Sequence, residues 1–232
     1  MFKKIAAIFG ITGFLTMPVT TIAQDDWANL SKYKQQNEAI KQTGNSGNRV
    51  IFMGNSITEF WSVTDSRFFD ENKYINRGIS GQTTPQMLIR FRPDVIALNP
   101  AVVVILAGIN DIAHNTGPAT VEEIAGNIIS MAELAKANNI TPVLCSVLPA
   151  KEFYWRPGLE PKLQIIQLNE MLKLYAGKNN LQFVDYYTPM VNEEKGLKKE
   201  YGDDGVHPNL AGYKVMEPLV QEAIRKALHS NE

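Results

Sequence analysis

The chain has 232 residues, of which 44% are hydrophobic, and its formal net charge at pH 7 is −1. This length and composition predict a single globular domain, and the lone cysteine, Cys145, excludes an internal disulfide. A mildly acidic chain without a basic stripe is a poor match for a polyanion, so we expect no nucleic-acid partner.

The N-terminal stretch has the pattern of a secretory signal peptide. Two lysines precede an apolar run over residues 5–15, and small residues precede a cleavage point after Ala23. This run is too short to span a bilayer, and we expect no membrane span elsewhere. We therefore expect residues 1–23 to be removed, which would change the net charge to −3 because they hold two lysines and no acid. Residues 24–232 would form the single exported domain, in the periplasm or the medium.

The hydrophobic pattern alternates between strands and helices. An amphipathic leading helix is predicted over 25–42, and Thr120 with Glu123 forms a capping box that begins a later helix. Short links between the elements predict a parallel sheet with helices on both faces. Strands are predicted at 50–53, 74–76, 101–106, 142–148 and 181–186. Further helices are predicted over 83–96, kinked or broken at Pro93, over the segment that ends at Gly177, and over 210–228, bent or interrupted near Pro218.

The first candidate functional residue follows the first predicted strand. The apolar run over 50–53 stops at Gly54 and Asn55, and Ser56 comes next, where a helix is predicted to begin. Open α/β sheets bind their ligands at the carboxyl ends of the strands, so Ser56 is a candidate nucleophile. The alternative is that Ser56 only caps the helix, since serine is favoured at that position.

A serine nucleophile needs a base, and the histidines provide two candidates. The candidates are His207 and His114, which lies beside a predicted strand end, whereas His229 lies near the C-terminus and is expected to be solvated. His207 is favoured because Asp204 precedes it by three residues and the glycine between them allows a tight turn. Asp204 can then hold one ring nitrogen while the other faces Ser56.

Ester hydrolysis also needs hydrogen-bond donors for the oxyanion. The backbone N–H of Ser56, the backbone at Gly81 and the side-chain amide of Asn110 are the candidates, each at the end of a predicted strand. Taken singly, Gly81 reads as a turn residue and Asn110 as a cap. Their joint position at one sheet edge favours an oxyanion hole.

The candidate residues lie in four short blocks, which are Gly54-Asn55-Ser56-Ile57, Gly78-Ile79-Ser80-Gly81, Gly108-Ile109-Asn110-Asp111 and Asp204-Gly205-Val206-His207. Blocks of this kind in this order resemble the SGNH hydrolases, also called GDSL esterases and lipases. The stretch 76–84 is most similar to the branch of platelet-activating-factor acetylhydrolase subunits and many exported bacterial acylesterases. One departure is Asn55, where the family usually has Asp, which removes a charge beside Ser56.

The resemblance implies both the fold and the roles of the site residues. The implied fold is a flavodoxin-like three-layer α/β/α sandwich with a five-stranded parallel sheet in the order 2-1-3-4-5. Ser56, Asp204 and His207 would form the catalytic triad, and Ser56, Gly81 and Asn110 the oxyanion hole.

Aromatic residues outside these blocks are candidates for substrate contact. The loop Phe153-Tyr154-Trp155-Arg156 is the candidate, with Trp155 and Arg156 as its main contacts, because a ring beside a guanidinium suits a sugar, an aryl group or an anion. Alternatively, Phe153 and Trp155 only cover the sheet edge. Trp61 either walls the acyl pocket or belongs to the core.

Together these residues predict an exported serine esterase that needs no metal or cofactor. Its substrate would be a small-molecule or carbohydrate ester with a short acyl group, acetate first, because no long apolar lid is present to hold a fatty chain. The alternatives are a lysophospholipase or thioesterase with a longer acyl preference, and a glycan-binding protein without catalysis. A zinc enzyme is disfavoured because no histidines, cysteines and carboxylates have the spacing of zinc ligands. A flavin protein is disfavoured because no phosphate-binding loop follows the first predicted strand.

Overall fold

The structure is a computed structural model that describes residues 26–44 and 47–229. The predicted signal peptide and its cleavage point lie outside the described residues. Within those ranges, no helix combines the length and the apolar character needed to cross a membrane.

A five-stranded parallel sheet lies at the centre of the fold. The strands are β1 (Val50–Gly54), β2 (Ile75–Gly78), β3 (Val102–Leu106), β4 (Thr141–Cys145) and β5 (Gln182–Val184). Their order in the sheet is β2-β1-β3-β4-β5, which confirms the order implied by the family resemblance. The two central strands, β1 and β3, are buried at every position because helices cover both faces of the sheet.

The register of the strands aligns their carboxyl ends. Gly54 at the end of β1 lies beside Gly78 of β2 and Leu106 of β3. The loops that follow these strands therefore leave the sheet at the same edge, which is where an open parallel sheet forms its ligand-binding crevice.

Helices surround the sheet and complete the predicted three-layer arrangement. Their bounds are α1 Lys34–Gln42, α2 Ser56–Thr64, α3 Ser66–Asn72, α4 Thr84–Asp94, α5 Ile109–Ile112, α6 Val121–Ala137, α7 Lys162–Lys178, α8 Tyr187–Met190 and α9 Leu210–His229. Short 3₁₀ helices cover Ile96–Leu98 and Lys199–Tyr201. The predicted capping box is confirmed, since Glu123 N donates to Thr120 Oγ1 and Thr120 N donates to the Glu123 carboxylate.

The leading helix is shorter than the predicted 25–42, because α1 begins only at Lys34. The preceding residues form turns in which the Asp26 carboxylate accepts hydrogen bonds from Leu30 N and Ser31 N. Asn29 adopts the left-handed region with φ 53°, which a helix does not permit. The apolar spacing over residues 26–33 therefore belongs to turns and not to a helix.

Other element ends also differ from the prediction. β4 stops at Cys145 because the Ser146 hydroxyl, instead of a strand carbonyl, accepts hydrogen bonds from the backbone of residues 186–187. α7 continues through Gly177, where the prediction closes it, and α9 is one uninterrupted helix through Pro218. Pro93, as expected, lies in the last turn of α4, where the helix ends.

Candidate active site

Ser56 is the first residue of α2, directly beyond the carboxyl end of β1. The cap of this helix is Asn55, whose side-chain oxygen accepts a hydrogen bond from Ile57 N at 3.1 Å. An amide oxygen meets this need as well as a carboxylate oxygen does, which accounts locally for Asn55 in place of Asp. The alternative that Ser56 serves as the cap is therefore wrong, and its hydroxyl is free for another partner.

That partner is His207. Ser56 Oγ lies 2.9 Å from His207 Nε2, and His207 Nδ1 lies 2.6 Å from Asp204 Oδ2. The other carboxylate oxygen of Asp204 accepts from Val206 N and His207 N, so the carboxylate itself closes the turn. Gly205 has φ 77°, a left-handed conformation that glycine adopts without strain.

The charge state of Asp204 suits the role of an orienting group. Partial burial acts to raise the pKa of Asp204, but the hydrogen bonds from His207 and Val206 outweigh it and hold the pKa below its ordinary value. Asp204 is therefore ionised at neutral pH. A serine hydroxyl bonded to an imidazole that a carboxylate orients can lose its proton to the ring during attack. The competing base, His114, lies outside the cavity that Ser56 faces.

An open cavity of about 350 Å³ lies in front of Ser56 and brings the predicted residues together. Its lining residues are Ser56, Phe60, Ser80, Gly81, Asn110, Asn115, Tyr154, Trp155, Asp204 and His207. A larger concavity of about 740 Å³ lies at the amino ends of β3 and β4, near Asn99 and Asn180. It contains no nucleophile–base pair, so the smaller cavity is the candidate active site.

The three predicted oxyanion donors, Ser56, Gly81 and Asn110, all line the cavity. The Ser56 N–H lies in the first turn of α2, where no earlier helical carbonyl can accept from it. Gly81 has φ 77° and nothing within 4 Å of the place where a Cβ would be. Asn110 Nδ2 donates one hydrogen to Gln82 O at 3.0 Å, which orients the amide and leaves its second hydrogen for a ligand.

Two of the three predicted substrate contacts, Trp61 and Arg156, do not line the cavity. Trp61 is 1% exposed and stacks with Phe68 and Tyr213 at 5.1 and 5.2 Å between ring centroids, so it belongs to the core. Arg156 is exposed and does not line the cavity. Trp155 does line it, with its ring centroid 6.4 Å from that of His207.

Three cavity residues, Phe60, Ser80 and Asn115, are not among the candidates chosen from the sequence. Phe60 lies 5.4 Å from His207 between ring centroids, and its position four residues after Ser56 on one helix face could have revealed it. Tyr154, which also lines the cavity, belongs to the predicted contact loop. Asn115 carried no signal in the sequence: its amide donates to Gly81 O and accepts from Trp155 Nε1, both at 3.2 Å.

Acidic side chains support the loops that carry the donors. Glu59 on α2 accepts hydrogen bonds of 2.6 Å from both the backbone N–H and the hydroxyl of Ser80, and it also pairs with Lys32. Asp111, next to Asn110, accepts from the backbone and hydroxyl of Thr84 at the start of α4. Burial raises the pKa of Asp111 to about 6, although the Thr84 hydrogen bonds act in the opposite direction.

The family of this chain is shown by its match to a sequence profile, and this family supports a hydrolase acting on esters. A sequence profile of the GDSL-like lipase/acylhydrolase family matches residues 52–215, and the chain belongs to that family. The predicted resemblance to the SGNH hydrolases is thus confirmed.

Individual relatives agree with this assignment. A crystal structure of a GDSL-like lipase from Bacteroides thetaiotaomicron VPI-5482 is 52% identical, covers 86% of this chain and 98% of its own, and has a TM-score of 0.84. Esterase TesA of Pseudomonas aeruginosa is 27% identical over 164 residues, which cover 68% of this chain and 75% of TesA. A variant of an acetyl-xylooligosaccharide esterase from Geobacillus shares the fold, with 22% identity and a TM-score of 0.63, and the match covers 78% of this chain and 95% of the esterase.

Proposed function

We propose that this protein is a serine esterase in which Ser56 is the nucleophile, His207 the base and Asp204 the group that orients the base. The observation that carries the proposal is the continuous hydrogen-bond chain from Asp204 through His207 to Ser56, which ends at an open cavity. The proposal includes export after cleavage following Ala23 and a single mature domain over residues 24–232, based on the signal-peptide pattern.

The reaction would proceed in two steps. Ser56 Oγ attacks the ester carbonyl carbon while His207 Nε2 takes the hydroxyl proton. The N–H groups of Ser56 and Gly81 and the Asn110 amide stabilise the tetrahedral oxyanion, which collapses as the alcohol leaves with the proton from His207. Water then attacks the acyl-enzyme, His207 takes its proton, and the second collapse releases the acid and returns the proton to Ser56. Asp204 remains ionised and stabilises the imidazolium throughout.

The form of the cavity supports a short acyl group and a neutral, ring-shaped alcohol. Its volume is at the lower end for ligand sites, and its apolar walls are the aromatic rings of Phe60, Tyr154 and Trp155. Within the described ranges, neither lysine nor arginine lines it, so the anionic group considered for Arg156 loses its support. An acetyl ester on a carbohydrate fits these features. The shared fold with an acetyl-xylooligosaccharide esterase is consistent with it.

A lysophospholipase or thioesterase with a longer acyl preference is the second candidate. The observation that favours it is apolar surface on α2 next to the cavity, where Phe60 is 40% and Val63 is 79% exposed. A long chain could lie along this surface. The glycan-binding alternative is weaker because binding alone does not require a serine, an imidazole and a carboxylate in one hydrogen-bond chain.

The test compares hydrolysis of p-nitrophenyl acetate and p-nitrophenyl octanoate by the protein lacking residues 1–23. We expect acetate to be preferred and Ser56→Ala to lower kcat by about 10⁴-fold or more. Thr64→Ala is the matched control, because it removes an exposed hydroxyl at the far end of the same helix, outside the cavity, and kcat is expected to stay within about twofold.

The outcomes separate the candidates. If octanoate is preferred, the longer-acyl candidate replaces the acetyl esterase. If the wild type and Ser56→Ala are equally inert, the glycan-binding alternative replaces both. Acetylated xylo-oligosaccharides are the next substrate if acetate is turned over.

A further inference from the structure

A fully buried arginine links separate parts of the proposed oxyanion hole. Arg90 lies on α4 with no exposed surface, and its Nη2 donates to Gly54 O, at the end of β1, at 2.9 Å. Its Nε donates to Gln82 Oε1 at 2.5 Å, and its Nη1 to Asp94 Oδ2 at 3.0 Å. The guanidinium therefore connects the strand that leads to Ser56 with the residue after Gly81.

Gln82 passes this connection to the third donor. Its side chain is held from both ends, since Nε2 donates to Ala28 O at 2.8 Å while Oε1 accepts from Arg90. Its backbone oxygen accepts the hydrogen bond from Asn110 Nδ2. Gln82 is 2% exposed and directly follows Gly81, so any displacement of Gln82 moves two donors at once.

The gain in folding stability from a fully buried charged network is small, so stability alone does not explain this one. A buried ion pair such as Arg90–Asp94 repays the cost of removing two charges from water only with excellent geometry, and apolar residues of similar size are often as stable. Such a network fixes the relative positions of the backbone segments that it joins. Here the segments are those that carry the oxyanion donors.

We propose that Arg90 and Gln82 are positioning residues that aim the three oxyanion donors at one point. The guanidinium fixes the end of β1 relative to Gln82, and with it the N–H of Ser56 relative to that of Gly81. The Gln82 backbone then sets the direction of the Asn110 amide. This inference rests on the proposed function, because the donors matter only if an oxyanion forms.

The test variant is Gln82→Met, which keeps the side-chain volume and removes the hydrogen bond from Arg90. We expect kcat for p-nitrophenyl acetate to fall by about 10- to 100-fold, because a donor displaced by about 1 Å costs that much. KM is expected to stay within about twofold, since the donors act on the transition state. The affinity for a trifluoromethyl ketone, which forms a tetrahedral oxyanion on Ser56, is expected to fall in parallel with kcat.

The matched control is Asn37→Leu. Asn37 is equally buried, donates to Asp94 and accepts from the Arg77 guanidinium, and it does not line the cavity. We expect this variant to lower the melting temperature about as much as Gln82→Met and to keep kcat within about threefold. Arg90→Lys, which keeps the charge beside Asp94 and loses the forked donors, is a second test that is expected to lower kcat as Gln82→Met does.

Each outcome decides the inference. Wild-type kcat and ketone affinity in Gln82→Met, or in Arg90→Lys if Gln82→Met does not fold, would overturn it. An equal loss of kcat in Asn37→Leu would also overturn it, because the effect would then be a general loss of structure. If the wild type hydrolyses no ester and does not bind the ketone, the proposed function is wrong and this inference with it.

Discussion

Gly78→Ala tests the closest backbone approach beneath the site. A Cβ at Gly78 would lie 2.2 Å from Glu59 N, 2.6 Å from Glu59 Cα and 2.8 Å from Asn55 O. All three atoms belong to the backbone of α2 or its cap, so no side-chain rotation can relieve the contact. Ordinary contacts begin near 3.4 Å, and β2 would have to separate from α2 by about 1 Å.

This separation sets the size of the expected effects. Overpacking against rigid backbone predicts a loss of about 3 kcal/mol in the free energy of unfolding. The displacement also moves Ser56, which α2 carries, relative to Gly81, which follows β2. A misalignment of about 1 Å predicts a fall of about 10²-fold in kcat.

Urea unfolding measures the first effect, and hydrolysis of p-nitrophenyl acetate by the folded protein measures the second. The control is Gly126→Ala on α6, where an added Cβ meets nothing within 4 Å. It is expected to raise stability by about 0.5–1 kcal/mol and to leave activity unchanged. A Gly78→Ala protein with the stability and kcat of the wild type would refute the close approach of β2 and α2.

Two further predictions concern the places of the two tryptophans and the titration of Asp111. Trp61→Ala is expected to cost about 3–5 kcal/mol in urea unfolding because it empties the core, whereas Trp155→Ala is expected to raise KM with little loss of stability; the reverse pattern would contradict the placement of these rings. The pKa of Asp111 is about 6 in the folded protein against an ordinary 3.8, so the folded state binds more protons between these values and its stability falls as pH rises through them. Between pH 4 and pH 7 this fall amounts to about 2 kcal/mol, and we expect it to be absent in Asp111→Asn; parallel pH profiles of unfolding for the two proteins would show that Asp111 does not titrate in this window.

Much of the fold could be predicted from the sequence because its central strands are buried on both faces. Such strands are continuous apolar runs, and β1 and β3 were found within one residue of their ends. The capping box at Thr120 is equally local. The predictions failed where a turn imitates helical spacing, as between Asp26 and Lys34, and at strand ends where a side chain such as Ser146 replaces a ladder partner.

Part of the candidate site could also be predicted from the sequence. Ser56, Gly81 and Asn110 could be recognised because each follows a strand, and parallel strands end at one edge. Asp204 and His207 could be paired because the glycine between them permits a turn of three residues. These are properties of short stretches of chain, which a linear sequence displays.

Only the tertiary structure decided the contacts between distant parts of the chain. The 2.9 Å contact between Ser56 Oγ and His207 Nε2 joins residues 151 positions apart, and local spacing does not show it. Trp61 and Trp155 are both tryptophans near a predicted site, but only packing decides which ring points into the core. Arg90 lies within a predicted helix, and nothing in its neighbours shows that it reaches Gly54 O. Side-chain direction depends on the surrounding elements, and these are set only when the whole sheet has assembled.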